Sequence, residues 1–251
     1  KRNLEIYKQY INADFIFFQS NFCKNISYKF LDKPKCNNII LYNAVDTNFY
    51  KPLKTQFKKN KNFSFLITGK FNYNLKDSLI LAIIGIKECI KEGFNFDLNI
   101  YGFLDSKLKN ILQEKIKNLN LTKKVFINGT YSQETANKIY NKHDVFIYLI
   151  YKAPCSNSVL EALSSGLPVI YSNSGGTKEL VGEAGIGLKV PDSYENYLNP
   201  QIEDIKEAMI KIFNNYEEKS KLARKRALEN FNINKWFDIH SSTMRNLLNG
   251  K

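Results

Sequence analysis

Apolar positions along this chain alternate between two patterns. Short runs in which most residues are apolar, at 63–68, 96–101, 125–128, 145–149 and 168–171, have strand length and are rich in Phe, Ile, Val and Tyr. Two similar runs, at 14–18 and 38–42, precede them. Between the runs, segments 21–31, 76–91, 105–119, 133–141 and 157–165 repeat apolar residues every three or four positions and predict helices. After Pro200 the pattern is helical throughout, at 202–214, 217–230 and 234–249. Near-continuous apolar strands are covered on both faces, so the alternation predicts an α/β fold with a parallel sheet flanked by helices. Such sheets bind ligands beyond the carboxyl ends of their strands. The loops 69–75, 128–131, 150–157 and 172–176 each follow a strand and are therefore expected to converge on one crevice.

One stretch within this pattern carries chemistry. From Asn157 to Ile170 the order is a helix opening on small polar residues, a stop at Gly166 and a short apolar strand; the pair Gly175-Gly176 follows. Backbone N–H groups at a helix N-terminus, here 156–158, offer a site for an anion. Glu161, one turn in, has the oxygens to accept two hydrogen bonds from a vicinal diol such as a ribose. A phosphate beside a ribose is a nucleotide. Ser158-x-x-Glu161 also fits a capping box that only satisfies its own first turn, and these two residues alone favour that reading.

Composition narrows the classes. With 251 residues, 43% of them hydrophobic, the chain has ample material for a packed core. The longest apolar runs, 79–86 and 145–151, fall well short of the ~20 residues that cross a bilayer. The opening Lys1-Arg2-Asn3-Leu4-Glu5 lacks the apolar core of a leader, so a soluble cytoplasmic protein is expected. Cys23, Cys36, Cys89 and Cys155 are scattered, and His143 and His240 have no ligand-like neighbours; no metal site is expected. The net charge of +13 comes almost entirely from dispersed lysines, densest at Lys58-Lys59-Asn60-Lys61 and Arg224-Lys225-Arg226. That argues for a solvated surface rather than a nucleic-acid partner, and leaves room for peripheral contact with an anionic membrane face.

The string Glu161-Ala162-Leu163, Gly166-Leu167-Pro168-Val169, Gly175-Gly176 and Glu179 resembles the donor-binding segment of family 4 glycosyltransferases. Other pieces occur in the family's order: Asn43-Ala44-Val45-Asp46 through Pro52, Phe65–Lys70, Lys76, Asn128-Gly129-Thr130, Tyr140 and Asp144-Val145-Phe146. The resemblance implies the C-terminal, Rossmann-like half of a GT-B fold, preceded by the tail end of a similar N-terminal domain. The implied division is a remnant of the acceptor-side domain at 1–42, a hinge at 43–62, the nucleotide-sugar domain at 63–230 and a crossover helix at 231–251. It implies no cofactor beyond the nucleotide-diphosphate sugar itself, and a retaining, metal-independent transfer to a glycan or lipid acceptor. Cytoplasmic work on polysaccharide or glycolipid at the inner membrane face would follow.

The roles carry over residue by residue. Glu161 would hold the ribose, and Lys70 beside Gly69 would hold the diphosphate together with Lys76 and the amides of Ser156, Asn157 and Ser158. Thr130 and Tyr131 would border the base, and Glu179 would face the sugar or simply favour its own helix dipole. Lys70 replaces the family's arginine and loses its bidentate fork.

Two departures matter. The family's other donor-side glutamate falls at Ala153, and no Asp or Glu occurs between Val145 and Leu160, so the catalytic residue is left unassigned. The stretch 1–42 could supply only the end of an N-terminal half, which implies a fragment or a partner that brings the rest. A non-catalytic module that binds a nucleotide sugar or a partner chain is therefore the alternative; a GT-B epimerase fits the motifs less well.

Overall fold

The computed structural model describes residues 2–53 and 62–250. The chain opens with helix α1 (Arg2–Ile11), strand β1 (Phe15–Phe18), α2 (Asn21–Leu31) and β2 (Asn37–Ile40). After the connecting segment come β3 (Phe63–Phe71), α3 (Lys76–Lys91), β4 (Phe96–Leu104), α4 (Ser106–Asn118), β5 (Val125–Gly129) and α5 (Gln133–Tyr140). Next are β6 (Val145–Tyr148), α6 (Asn157–Ser164), β7 (Val169–Ser172), α7 (Thr177–Val181) and β8 (Gly185–Leu188). Helices α8 (Ile202–Asn214), α9 (Tyr216–Asn230) and α10 (Ile233–Asn249) finish it.

Strands β3 to β8 form one parallel sheet in the order β5-β4-β3-β6-β7-β8. The chain runs outward from β3 in one direction, then returns and runs outward from β6 in the other. The order thus reverses between β3 and β6, the kind of seam at which doubly wound sheets open a crevice. The expected parallel sheet covered on both faces is what forms. One hydrophobic cluster lies under α3, α4 and α8 and a second under α5, α6 and α9. Phe65, Leu66, Ile100, Val145 and Phe146 have no exposed surface, and each such side chain contributes about 1.5–3 kcal/mol relative to solvent.

Several boundaries differ from the sequence reading. Gly69 and Lys70 were expected in a loop; they lie on β3, because that strand stays paired with β4 through Phe71. Gly102 makes the extension possible: its φ is +133°, and a Cβ there would sit 1.8 Å from the Gly69 carbonyl oxygen. Helix α6 ends where expected, at Gly166, which has φ +81° while Leu167 N–H closes back on the Ala162 carbonyl at 2.9 Å.

The described residues before the connecting segment carry their own two-stranded parallel sheet, β1 beside β2. Helix α10 returns to it: His240 stacks on Phe17 of β1 at 4.2 Å and on Trp236 at 3.9 Å. The segment 43–53 runs between this small sheet and the large one. Val45 N–H bonds the Phe231 carbonyl at 2.9 Å, and Ile233 N–H bonds the Val45 carbonyl at 3.2 Å. Arg224 donates to the carbonyls of Tyr50, Ser164 and Thr47 at 2.9, 2.7 and 3.0 Å, fixing the segment to α6 and α9. The expected hinge also included 54–61, with the lysine run 58–61; these lie outside the described residues.

Candidate functional site

The carboxyl ends of β3, β4 and β5 and the start of α6 surround a cleft of about 340 Å3, lined by Gly69, Lys70, Gly102, Phe103, Thr130, Tyr131 and Glu161, with Tyr50, Gln133 and Ala136 closing its side. A second cleft, of about 630 Å3, adjoins it. Its walls are the connecting segment from Ala44 to Tyr50, residues 132–134 at the start of α5, Asn157 on α6 and Ile233. Tyr50, Gln133 and Glu161 line both, so the Glu161 carboxylate stands at their junction.

Glu161 is set by its surroundings rather than by its own helix. Helix α6 begins at Asn157 with Ser156 in the N-cap place, two positions before the N-cap that a Ser158 capping box needs, so Ser158 is already helical. Ser158 shares a hydrogen bond with Ser156 Oγ at 2.9 Å, and Ser156 makes no side-chain cap. The capping-box reading therefore fails here. Instead Glu161 Oε2 accepts from Tyr140 Oη at 2.8 Å, and Tyr140 in turn lies 3.1 Å from Thr68 Oγ1. Tyr50 lines both clefts beside the same carboxylate. Burial raises the Glu161 carboxyl above its ordinary range, and the Tyr140 hydrogen bond and the nearby Tyr50 hydroxyl pull partly the other way. Burial, then the Glu161 charge, pushes the Tyr140 phenol well up and the Tyr50 phenol up, so both stay protonated donors.

The cleft lining contains one cation among the described residues, Lys70, exposed with its ammonium 5.9 Å from the Phe103 ring. The second cleft carries Asp46, Glu134 and Glu161, so an anion is favoured at the Lys70 end and neutral hydroxyls at the other.

Among the residues expected to form the site, Gly69, Lys70, Thr130, Tyr131, Asn157 and Glu161 are brought together. Ser156 and Ser158 flank Asn157 without lining either cleft. Lys76 opens α3 and also lines neither; its ammonium is 3.4 Å from Asp77 and 5.1 Å from the Tyr73 ring. Glu179 points away into the junction with the N-terminal unit. Its carboxylate accepts from Asn21 N–H (2.8 Å), Asn21 Nδ2 (2.9 Å), Phe22 N–H (2.8 Å) and Tyr42 Oη (3.2 Å), thereby closing the start of α2. Ala153 is buried, its carbonyl accepting from Gly176 N–H at 2.8 Å. The glycine pair is explained by this packing. A Cβ on Gly175 would meet the Ala153 carbonyl at 2.5 Å, and one on Gly176 the Pro154 carbonyl at 2.0 Å.

Tyr50, Gly102, Phe103, Gln133 and Ala136 were not singled out by the sequence. Tyr50-Lys51-Pro52 did carry a signal, the aromatic two places before proline at the end of the hinge motif. Among the described residues no group of three His, Cys, Asp or Glu side chains could hold a metal, and no helix is long and apolar enough to cross a membrane.

Comparison with known proteins agrees with this geometry. Residues 50–228 match the family model described as "Glycosyl transferases group 1". A probable sucrose-phosphate synthase of Thermosipho melanesiensis is 29% identical over 212 residues, covering 80% of this chain and 44% of that protein. Among solved structures, sucrose-phosphate synthase from Thermosynechococcus elongatus superposes with a TM-score of 0.77 at 17% identity, over 100% of this chain and 62% of that one. Anabaena Alr3699/HepE, solved in complex with UDP and glucose, superposes at 0.76 with 16% identity, over 97% of this chain and 66% of its own. The α/β architecture is thus that of GT-B glycosyltransferase structures. The chain spans less than half the length of the curated relatives it matches, 44% to 46%.

Proposed function

We propose a function from one premise: the chain belongs to the glycosyl transferases of group 1. Its role is to hold the nucleotide-sugar donor for transfer of the sugar to a glycan or lipid acceptor, as the donor half of a family 4-type enzyme. The observation that carries this reading is Glu161 at the junction of two clefts, with Lys70 as the cation at one end. Glu161 accepts the ribose hydroxyls, Thr130 and Tyr131 border the base, and Lys70 with the amides at the start of α6 receives the diphosphate. Lys76 assists only by leaving Asp77, and Glu179 reaches the sugar only by leaving α2.

Departure of a nucleoside diphosphate needs its growing charge stabilised, and fixed cations and backbone dipoles do so without a metal. A retaining transfer in which the leaving phosphate guides the acceptor to the same face asks for no protein nucleophile, and so tolerates Ala153. The acceptor-side half comes from further sequence or from a separate chain, and cytoplasmic work at the inner membrane face suits the lipid-acceptor case.

The test is calorimetric titration with UDP, GDP and ADP, with and without magnesium. One nucleotide is expected to bind equally in both conditions, and Glu161→Ala to weaken it by about 1–3 kcal/mol. Unchanged affinity in a folded Glu161→Ala protein would remove Glu161 from the site. Ala153 favours a second reading, a module that binds the nucleotide sugar without turnover. Sugar transfer by the assembled protein would end it.

A further inference from the structure

We propose that Tyr140 is a positioning residue for Glu161, and that through it the chain selects ribonucleotides over 2′-deoxyribonucleotides. The inference rests on the reading of Glu161 as the ribose ligand and adds what makes that carboxylate selective.

Two hydroxyls stand in line behind Glu161. Tyr140 Oη donates its one proton to Glu161 Oε2 at 2.8 Å, so the contact of 3.1 Å with Thr68 must be Thr68 Oγ1 donating to Tyr140. Tyr140 is fully buried and out of reach of any ligand, while Thr68 is 4% exposed on β3. Tyr50, from the connecting segment, packs beside this pair, its ring meeting Tyr140 edge to face at 5.8 Å. Its backbone cannot drift, because its carbonyl is held by Arg224 at 2.9 Å and Ser164 Oγ at 2.5 Å.

A carboxylate presents about four lone-pair sites. Tyr140 occupies one of them from the protein side, and Glu161 lines both clefts, where its other sites can accept the two protons of a vicinal diol. Glutamate otherwise loses substantial rotamer freedom when a ligand fixes it; here folding has already removed that freedom. Removing the Tyr140 hydroxyl lets Glu161 turn, which weakens only those contacts that depend on its orientation. The diol is such a contact. The base and the diphosphate are not.

The experiment titrates the 251-residue chain with whichever of UDP, GDP and ADP binds, and with its 2′-deoxy counterpart. The unaltered protein is expected to prefer the ribose form by at least about tenfold. In Tyr140→Phe the preference is expected to fall to about threefold or less, with affinity for the deoxy form changed by under about twofold. Thr68→Val, which leaves the Tyr140 phenol in place, is expected to move the ratio the same way by less, and it serves if Tyr140→Phe fails to fold. An unaltered ratio with both affinities falling together would make Tyr140 mere packing and overturn this inference while sparing the donor site. No ribose preference in the unaltered protein, or no binding of any of the three nucleotides, would overturn the reading of Glu161 itself and this inference with it.

Discussion

With Glu161 as the proposed ribose ligand, its effects on folding and on binding run oppositely with pH. Burial gives its carboxyl a higher affinity for protons in the folded chain than its ordinary value of 4.5 in the unfolded one. Between those two values the folded state binds more protons, so this residue's contribution to stability is present at low pH and lost as pH rises through the raised value. Diol binding needs the ionised form and follows the reverse course: on acidification, nucleotide affinity should decline at a pH above the usual glutamate range. Calorimetry across that range, beside thermal unfolding of the unaltered and Glu161→Gln proteins, checks both. The Glu161→Gln protein should lose both pH dependences. Glu161 was legible in the sequence because its neighbours Gly166, Pro168 and Gly175-Gly176 frame it. Its tyrosine neighbours were not: Tyr50 is 111 residues away along the chain and Tyr140 is 21, and no local pattern shows which aromatic rings face a given carboxylate.

At the scale of elements, helix α2 owes its start to a residue from the other side of the molecule. Ser20 caps Cys23 N–H at 3.1 Å, but the free amides of Asn21 and Phe22 are satisfied by Glu179, 158 and 157 residues away. A carboxylate at that position also suits the helix dipole. Glu179→Ala should therefore lower stability by about 1–2 kcal/mol, seen as a lower unfolding midpoint, with nucleotide affinity unchanged if Glu179 serves only this junction. The long elements were readable from periodicity alone; the missed ones are instructive. Strand β8, Gly-Ile-Gly-Leu, has no apolar run and becomes a strand only by pairing with β7. Helix α1 is half polar and leaves Leu4, Ile6, Tyr7 and Ile11 exposed. The overrun of β3 and β4 past Gly69 and Gly102 reads as a turn in sequence, because glycine signals both a turn and a close backbone approach.

Over the whole molecule, stability should be uneven. The unit before the connecting segment has a sheet of only two strands, and α2 contributes no fully buried residue; such pairs hold weakly without further layers. The large sheet is covered on both faces. Hydrogen exchange should accordingly release amides of 15–40 well before those of β3 and β6, and equal protection of the two would show the small unit to be as firmly held as the sheet. The layered architecture was legible in the alternation of strands and helices; the order of strands was not, since pairing between distant segments leaves no mark on either.

That order also bears on how the chain assembles in time. All six strand pairings among the described residues are parallel, so none can start from a hairpin. The seam between β3 and β6 closes the longest loop of the large sheet, with Ser64 N–H reaching Asp144 across 80 residues at 2.8 Å. Closing such a loop is entropically costly and rewarded late. The candidate site straddles this seam, with Lys70 and Thr68 on one side and Glu161 on the other. The proposed nucleotide site draws on both half-sheets, so on this order of events the capacity to bind emerges only when they join, among the last steps of folding.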